Sequence, residues 1–279
     1  MVIQRVLVFA NVRERDRATE QQLVAALDER GVIVDAENPD LIISIGGDGT
    51  FLESVRRYRG LGVPFVGVNT GSLGFLQEVD RTHLDELASA VATGKHRIDS
   101  YPMLRTKIHG TGRVVEVHAV NDVVVERRGT RTIRLQLTVD GYDCGKVLGD
   151  GIIVAAPLGS TAYAISAGGA IVHPEAPVYQ IVPLNPHDSQ IYKSIRSAII
   201  LSRASRVRIT MDPEKVRESR VVVDGAELDV SGMRYTELEV SDETLPVLKF
   251  GKTSYWRRLF TKILGVSEPE LGEVAEDEW

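Results

Sequence analysis

One carboxylate stands among glycines in the run Gly46-Gly47-Asp48-Gly49-Thr50. With so few side chains around Asp48, an anion or a sugar can approach main-chain N–H groups without meeting a Cβ. A carboxylate in that setting can orient a hydroxyl or accept its proton while the backbone around it holds a phosphoryl group. The blander alternative is that Asp48 caps a helix and the glycines only make the turn. The spacing is neither GxxxxGK[ST] nor GxGxxG, which sets aside the Walker and dinucleotide fingerprints.

The elements that must position Asp48 lie on both sides of it. Leu41 to Ile45 is an apolar, β-branched run that reads as a strand buried on both faces of a parallel sheet. From Thr50 the residues Phe51, Leu52, Val55 and Tyr58 take helical spacing, which places Asp48 in the strand-to-helix turn. A helix N-terminus there offers unpaired donors and partial positive charge to an anion. Upstream, Arg5 to Ala10 reads as a strand, Leu23, Val24 and Leu27 as one face of a helix that stops at Gly31, and Val32 to Val34 as a short strand. Downstream, the strand Pro64 to Val68 runs into a second glycine-punctuated turn, Asn69 to Phe75. Alternating strand and helix implies a Rossmann-like parallel sheet, with both turns at the carboxyl ends where such sheets bind ligands. Thr82 with Asp85 opens a further helix, Leu84, Leu87, Ala88 and Val91 are its buried face, and Gly94 is its stop. This α/β domain is expected over residues 1–98.

After it the hydrophobic period changes from helical to alternating. Leu104 to Ile108, Val114 to Val120, Ile133 to Val139, Val207 to Met211, Val221 to Val223, Ala226 to Val230 and Tyr235 to Val240 alternate, with a tight turn at Asp140-Gly141. An antiparallel β-sandwich domain is therefore expected over 99–249. Trp256, Leu259, Phe260, Ile263 and Leu264 return to helical spacing. Such a stripe should be buried against the α/β domain, completing it with residues 250–266, and 267–279 reads as an acidic tail. The chain has 279 residues, 43% of them hydrophobic, and a net charge of −6, which argues against a nucleic-acid partner. Its longest apolar runs, such as Gly151 to Pro157, fall far short of the ~20 residues that cross a bilayer. The apolar part of residues 1–12 is too short for a signal peptide. Cys144 is the single cysteine, so no internal disulfide can form, and a cytoplasmic location is the expectation.

Two segments of the alternating region carry more than packing. Asn121-Asp122 interrupts an apolar strand, so the pair must be exposed, bonded to backbone or aimed at a ligand. From Gly149-Asp150-Gly151 through Ile152 to Ala156 and on to Gly159-Ser160-Thr161-Ala162-Tyr163-Ala164-Ile165-Ser166-Ala167-Gly168-Gly169, small residues and hydroxyls make a poor core but a close-fitting wall. Ser160 has the character of an N-cap for one or two helical turns. His173 and His187 stand alone beside prolines and fit turn or phosphate contacts better than metal ligation, since no second ligand has suitable spacing.

GGDGT resembles the signature shared by NAD kinases, diacylglycerol and sphingosine kinases and, in variant form, phosphofructokinases. The order GGDGT, then NTGSLGFL at Asn69 to Leu76, Asn121-Asp122, and GDGIIVAAPLGSTAYAISAGGAIVHP at Gly149 to Pro174 resembles the NAD kinase family over nearly the whole chain. The resemblance implies Asp48 as the catalytic carboxylate and Gly46, Gly47, Gly49 and Thr50 as the phosphate-donor loop. It also places Gly49 against the dinucleotide, Phe75 near the adenine, Asn121 and Asp122 on the adenosine groups, and Asp150 on the nicotinamide half. Thr161, Ala162, Tyr163 and Ser166 would line the same site, and Asn185 falls at a pocket position where the family usually has a small or apolar residue. Asp122 stands where Glu is usual, Leu148 where a basic residue is often found, and Ala226 where glutamine is common. The implied reaction transfers a phosphoryl group from ATP or polyphosphate to the 2′-hydroxyl of the adenosine ribose of NAD. Mg²⁺ would arrive with the donor, no protein metal site is implied, and the assembly would be a homodimer or homotetramer. A lipid or sugar kinase sharing GGDGT and a non-catalytic dinucleotide sensor are the competing readings.

Overall fold

Strands β1 (Arg5–Ala10), β2 (Ile33–Val34), β3 (Leu41–Gly46), β4 (Phe65–Asn69) and β5 (Val79–Asp80) form a parallel sheet in the order β2-β1-β3-β4-β5. The computed structural model describes residues 2–71, 74–187, 194–212, 219–229, 232–250 and 255–266. Its chain divides into two units, residues 1–100 with 246–279, and residues 101–245. In the first unit every residue of β3 and β4 is buried, as their unbroken apolar character requires. Helices α1 (Glu14–Asp28), α2 (Asp48–Tyr58) and α3 (Leu84–Thr93) follow β1, β3 and β5. Leu23, Leu27, Leu87 and Val91 pack with Val6, Ile43, Val66 and Leu248 in one core. Asp80, not Thr82, opens the turn before α3: its carboxylate accepts from the Thr82 amide at 3.0 Å, and Gly94 closes the helix in the left-handed conformation.

The second unit holds two sheets. The first runs β10 (Tyr142–Gly149), β9 (Ile133–Val139), β14 (Val207–Met211) and β17 (Tyr235–Lys249), with β6 (Arg97–His109) and β7 (Val114–Ala119) joined beyond β17. The second has the order β13 (Ile199–Ser202), β12 (Val178–Leu184), β11 (Gly151–Ala155), β8 (Asp122–Arg127), β15 (Ser219–Val223) and β16 (Ala226–Leu228), with every neighbouring pair antiparallel. Leu135, Leu137, Val207 and Ile209 from one sheet share a core with Val123, Val125, Ile152, Val154 and Ile181 from the other, so the unit is a β-sandwich. The Asp140-Gly141 turn forms as expected, with φ of 50° and 84°, and Asp224-Gly225 repeats it at 48° and 77° between β15 and β16.

β6 and β17 carry the chain from one unit to the other. The end of β17 pairs in parallel with β4 through Val247 and Phe65. Beyond it a short helix (Tyr255–Arg258) continues as a π-helical turn, Leu259–Ile263. The helical spacing is real, but the buried stripe is not: Leu259 is buried, whereas Trp256 is 53% and Leu264 50% exposed. The expected acidic tail, 267–279, lies outside the described residues.

Candidate active site

The register of β3 against β4 explains why two distant loops share one site in the first unit. Gly46 lies opposite Asn69, so the glycine turn and the Asn69 turn leave the sheet side by side at its carboxyl edge. Gly46 has no substitute there: its φ is 154°, and a Cβ would lie 2.4 Å from the Thr50 hydroxyl. Gly47 and Gly49 are different. A Cβ on either would meet nothing within 4 Å, so packing does not call for them, and the face that they leave bare is open.

Helix α2 begins two residues earlier than its apolar spacing suggests. Gly47 occupies the cap position with extended backbone, and Asp48 is the first helical residue. The cap reading of Asp48 therefore fails. Its carboxylate instead reaches across to the second loop, accepting from the Phe75 amide at 2.8 Å and the Leu76 amide at 3.0 Å. Gln77 ties the same two loops by donating from Nε2 to the Gly47 carbonyl at 2.7 Å. Asp48 stays half-buried and Gly49 exposed. The amides of Asp48 and Gly49 belong to the first helical turn and have no carbonyl four residues back within the helix, the situation that lets a helix start meet an anion.

Sequence reasoning missed the groups behind this turn. Tyr255 meets the Phe75 ring edge-on at 5.9 Å, and the Arg258 guanidinium lies 6.0 Å from the centre of that ring. Glu78, with a side chain 1% exposed, accepts from Arg258 at 2.6 Å and from Lys249 at 2.5 Å, and Lys262 donates to the Gly74 carbonyl. None of these partners has a local spacing that would have announced it.

In the second unit the expected residues gather on the outer face of the six-stranded sheet. Strand alternation sends Val123 and Val125 into the sandwich core and Asp122 and Glu126 outward. A 3₁₀ turn (Leu158–Thr161) and the short helix over Tyr163–Ser166 lie on this face, with Ala164 packed against Val124, Ile153 and Ala155. Contact is close because the glycines allow it: a Cβ on Gly159 would fall 1.9 Å from the Asn121 carbonyl. Ser160 is a correction. It is fully buried and caps nothing; its hydroxyl donates to the Val172 carbonyl at 3.1 Å and accepts from the Val172 amide at 3.0 Å, pinning the loop back on itself.

The outer wall has two polar ends. At one, Asp224 accepts from the amides of Val120, Asn121 and Asp122 at 2.9, 2.7 and 3.2 Å, a support invisible in the sequence. Asn121 Oδ1 is buried there with no partner among the described residues. Asp122 is 6% exposed, and its burial, with the nearby Asp224 charge second, pushes its pKa up to about 7. At the other end, Asp150 takes Arg127 Nε at 2.6 Å and Asn185 Nδ2 at 2.8 Å. Arg127, then Asn185, holds the Asp150 carboxyl below the usual carboxylate range. Asn185 adopts φ 41° to make this contact.

In register, Asp122 lies opposite Ala155 and Glu126 opposite Gly151, the residue after Asp150. Four strand steps of about 3.3 Å separate the two ends by roughly 13 Å. Tyr163 is 46% exposed over this stretch, where the charges of Glu126, Asp150 and Asp122 add to burial in raising its hydroxyl pKa. Thr161 donates to the Leu158 carbonyl at 3.3 Å, Ala162 is half-buried and Ser166 is exposed. His173 Nδ1 accepts from the Glu175 amide at 3.3 Å, a turn contact. Among the described residues, no three His, Cys, Asp or Glu side chains come together to hold a metal, and no helix is long and apolar enough to cross a membrane.

A helix N-terminus with a bare approach and a fixed carboxylate beside it is the equipment of a phosphotransferase, and a polar wall built on a β-sandwich is the kind of surface that holds an elongated cosubstrate. Residues 8–96 match the ATP-NAD kinase N-terminal domain and residues 120–250 the ATP-NAD kinase C-terminal domain. The NAD kinase of Methanopyrus kandleri is 39% identical, over 81% of this chain and 78% of its own length. That of Ruminiclostridium cellulolyticum is 34% identical over 83% and 80%. Among solved structures, an Archaeoglobus fulgidus NAD kinase in complex with ATP superposes with a TM-score of 0.73 at 26% identity, covering 94% of this chain and 99% of that one. Yeast NADH kinase complexed with NADH shares the fold, at a TM-score of 0.81 and 20% identity, over 96% and 89%. The chain belongs to the NAD kinase family.

Proposed function

We propose that this chain transfers the terminal phosphoryl group of ATP to the 2′-hydroxyl of the adenosine ribose of NAD. The bond from phosphorus to the ribose oxygen forms, the bond to the bridging oxygen of ADP breaks, and the hydroxyl proton passes to Asp48 or to water. The observation that carries the reading is the Asp48 carboxylate, held by two amides of a second loop at the start of a helix whose neighbouring glycines face open space. The transition state of such a transfer is loose, so alignment and charge stabilisation supply most of the catalysis. Gly46, Gly47, Gly49 and Thr50 would cradle the donor phosphates. Mg²⁺ is proposed to enter as part of the nucleotide substrate, held by its phosphates.

The dinucleotide is assigned to the wall of the second unit. The unpartnered Asn121 Oδ1 is an acceptor suited to a donor group of adenosine, with Asp122 beside it. Asp150, braced by Arg127 and Asn185, serves the nicotinamide half, and Thr161, Ala162, Tyr163 and Ser166 line the length between. Phe75 and Gly49 are proposed as dinucleotide contacts on the strength of the family resemblance. A homodimer or homotetramer working in the cytoplasm is the proposed setting.

The experiment is NADP formation by the purified chain from NAD with Mg²⁺ and either ATP or polyphosphate, read by a coupled dehydrogenase. NADP with ATP, lost on adding a chelator, is expected. NAD left unconsumed with both donors, or phosphate passed instead to a diacylglycerol or a sugar, overturns the reading.

A further inference from the structure

The turn that holds Asp48 is gripped from its other side by the helical segment that follows β17. The Phe75 and Leu76 amides point to the Asp48 carboxylate, while the carbonyl just before them, on Gly74, takes the Lys262 ammonium. Gly74 passes so near the carboxylate that a Cβ there would lie 3.2 Å from Asp48 Oδ1. Lys262 is thus one peptide away from Asp48, on a segment whose Tyr255 and Arg258 also lie against Phe75.

A charged lysine is an expensive way to satisfy one carbonyl. Burial disfavours the ammonium and is the largest influence on it, lowering its pKa; Arg258 adds to this, and Asp48, Asp80 and Glu78 oppose it. Glu78, for its part, is already engaged by Lys249 and Arg258. A methionine would fill the same space without the desolvation cost. What the lysine adds is a donor to the turn and a positive charge beside the catalytic carboxylate.

We propose that Lys262 is a positioning residue for phosphoryl transfer, fixing the Gly74–Leu76 turn so that its amides present Asp48 to the substrate hydroxyl. The proposal rests on the reading of Asp48 as the catalytic carboxylate. Its proposed action is indirect, through the turn and through its charge near Asp48.

The test compares Lys262→Met, Lys262→Gln and Lys262→Arg with Asp48→Asn in the full chain. The Met and Gln variants should lose about 10- to 100-fold in kcat, with KM for NAD within about twofold of the parent. Arginine should restore most of the rate. Added to Asp48→Asn, the Met substitution should cost little more, since the two act as one unit.

Parental kcat in Lys262→Met overturns the proposal. So does a rate loss that arginine fails to rescue and that tracks a fall in Tm, because that pattern is packing alone. Should Asp48→Asn itself keep the parental rate, it is the reading of Asp48 that fails. A slow Asp48→Asn beside a fast Lys262→Met removes only the role of Lys262.

Discussion

Asp48 and Asp224 use the same device for different ends. Each carboxylate crosses a long stretch of sequence to collect backbone amides, two for Asp48 and three for Asp224. Around Asp48 the chain leaves bare backbone and open space, so the amides fix a group that still has lone pairs to offer. Around Asp224 the chain is a hairpin turn, and the amides it collects belong to the residues assigned to ligand binding. On the proposed assignments, one carboxylate is held so that it can act, while the other holds residues that meet the ligand. Amide-bound carboxylates are therefore not alike in function; what distinguishes them is whether anything can approach.

Substitutions can break this contrast. Asp48→Asn should give the largest effect, a loss of ~10²–10⁴ in kcat with NAD still binding, measured by turnover and by calorimetry. A parental rate removes Asp48 from the chemistry. Asp224→Ala should do the reverse, costing about 3 kcal/mol of stability at roughly 1 kcal/mol per lost amide bond. NAD affinity should fall with it, while kcat at saturation stays near parental; denaturant melts and saturation kinetics separate the two.

Asp122 sharpens the comparison through pH. Its folded pKa of about 7 lies above the ordinary 3.8, so between those values the native state binds more protons than the unfolded chain. Stability from this group is therefore lost as pH rises from 3.8 to 7. Asp122→Asn should be more stable than the parent by on the order of 1–3 kcal/mol at pH 8, with the gap narrowing at pH 5 and closing below pH 4. A gap that is constant with pH would show that Asp122 is not buried as a charge. The smallest effect is expected at the far end of the wall, where Arg127→Met should raise KM for NAD about tenfold, with little change in kcat.

The parts of the fold legible in the sequence were those with local causes. The unbroken apolar run of β3, the alternation of β9 and the Asp140-Gly141 turn each follow from neighbouring residues, and each formed as read. Asp48 was legible because it stands among glycines, two of which, Gly47 and Gly49, have no packing duty to explain them. Asp224 was not: its three amides lie about a hundred residues away, and an Asp-Gly hairpin turn is reason enough for an aspartate. Arg127, Arg258 and Lys262 escaped for the same reason. Two errors came from local grammar overruled by tertiary contacts. Ser160 has the look of a helix cap, but Val172 offers its buried hydroxyl both a donor and an acceptor. Trp256 and Leu264 keep helical spacing yet face outward, because spacing specifies a stripe and not what covers it.

The pairing of Val247 with Phe65 also bears on how the protein is made. A ribosome releases β4 some 180 residues before the strand that joins it beside Phe65, so for most of synthesis that stretch of sheet edge is bare. The first unit can close only once β17 has been made, and chains that stop short of Val247 should aggregate rather than act as a slow enzyme.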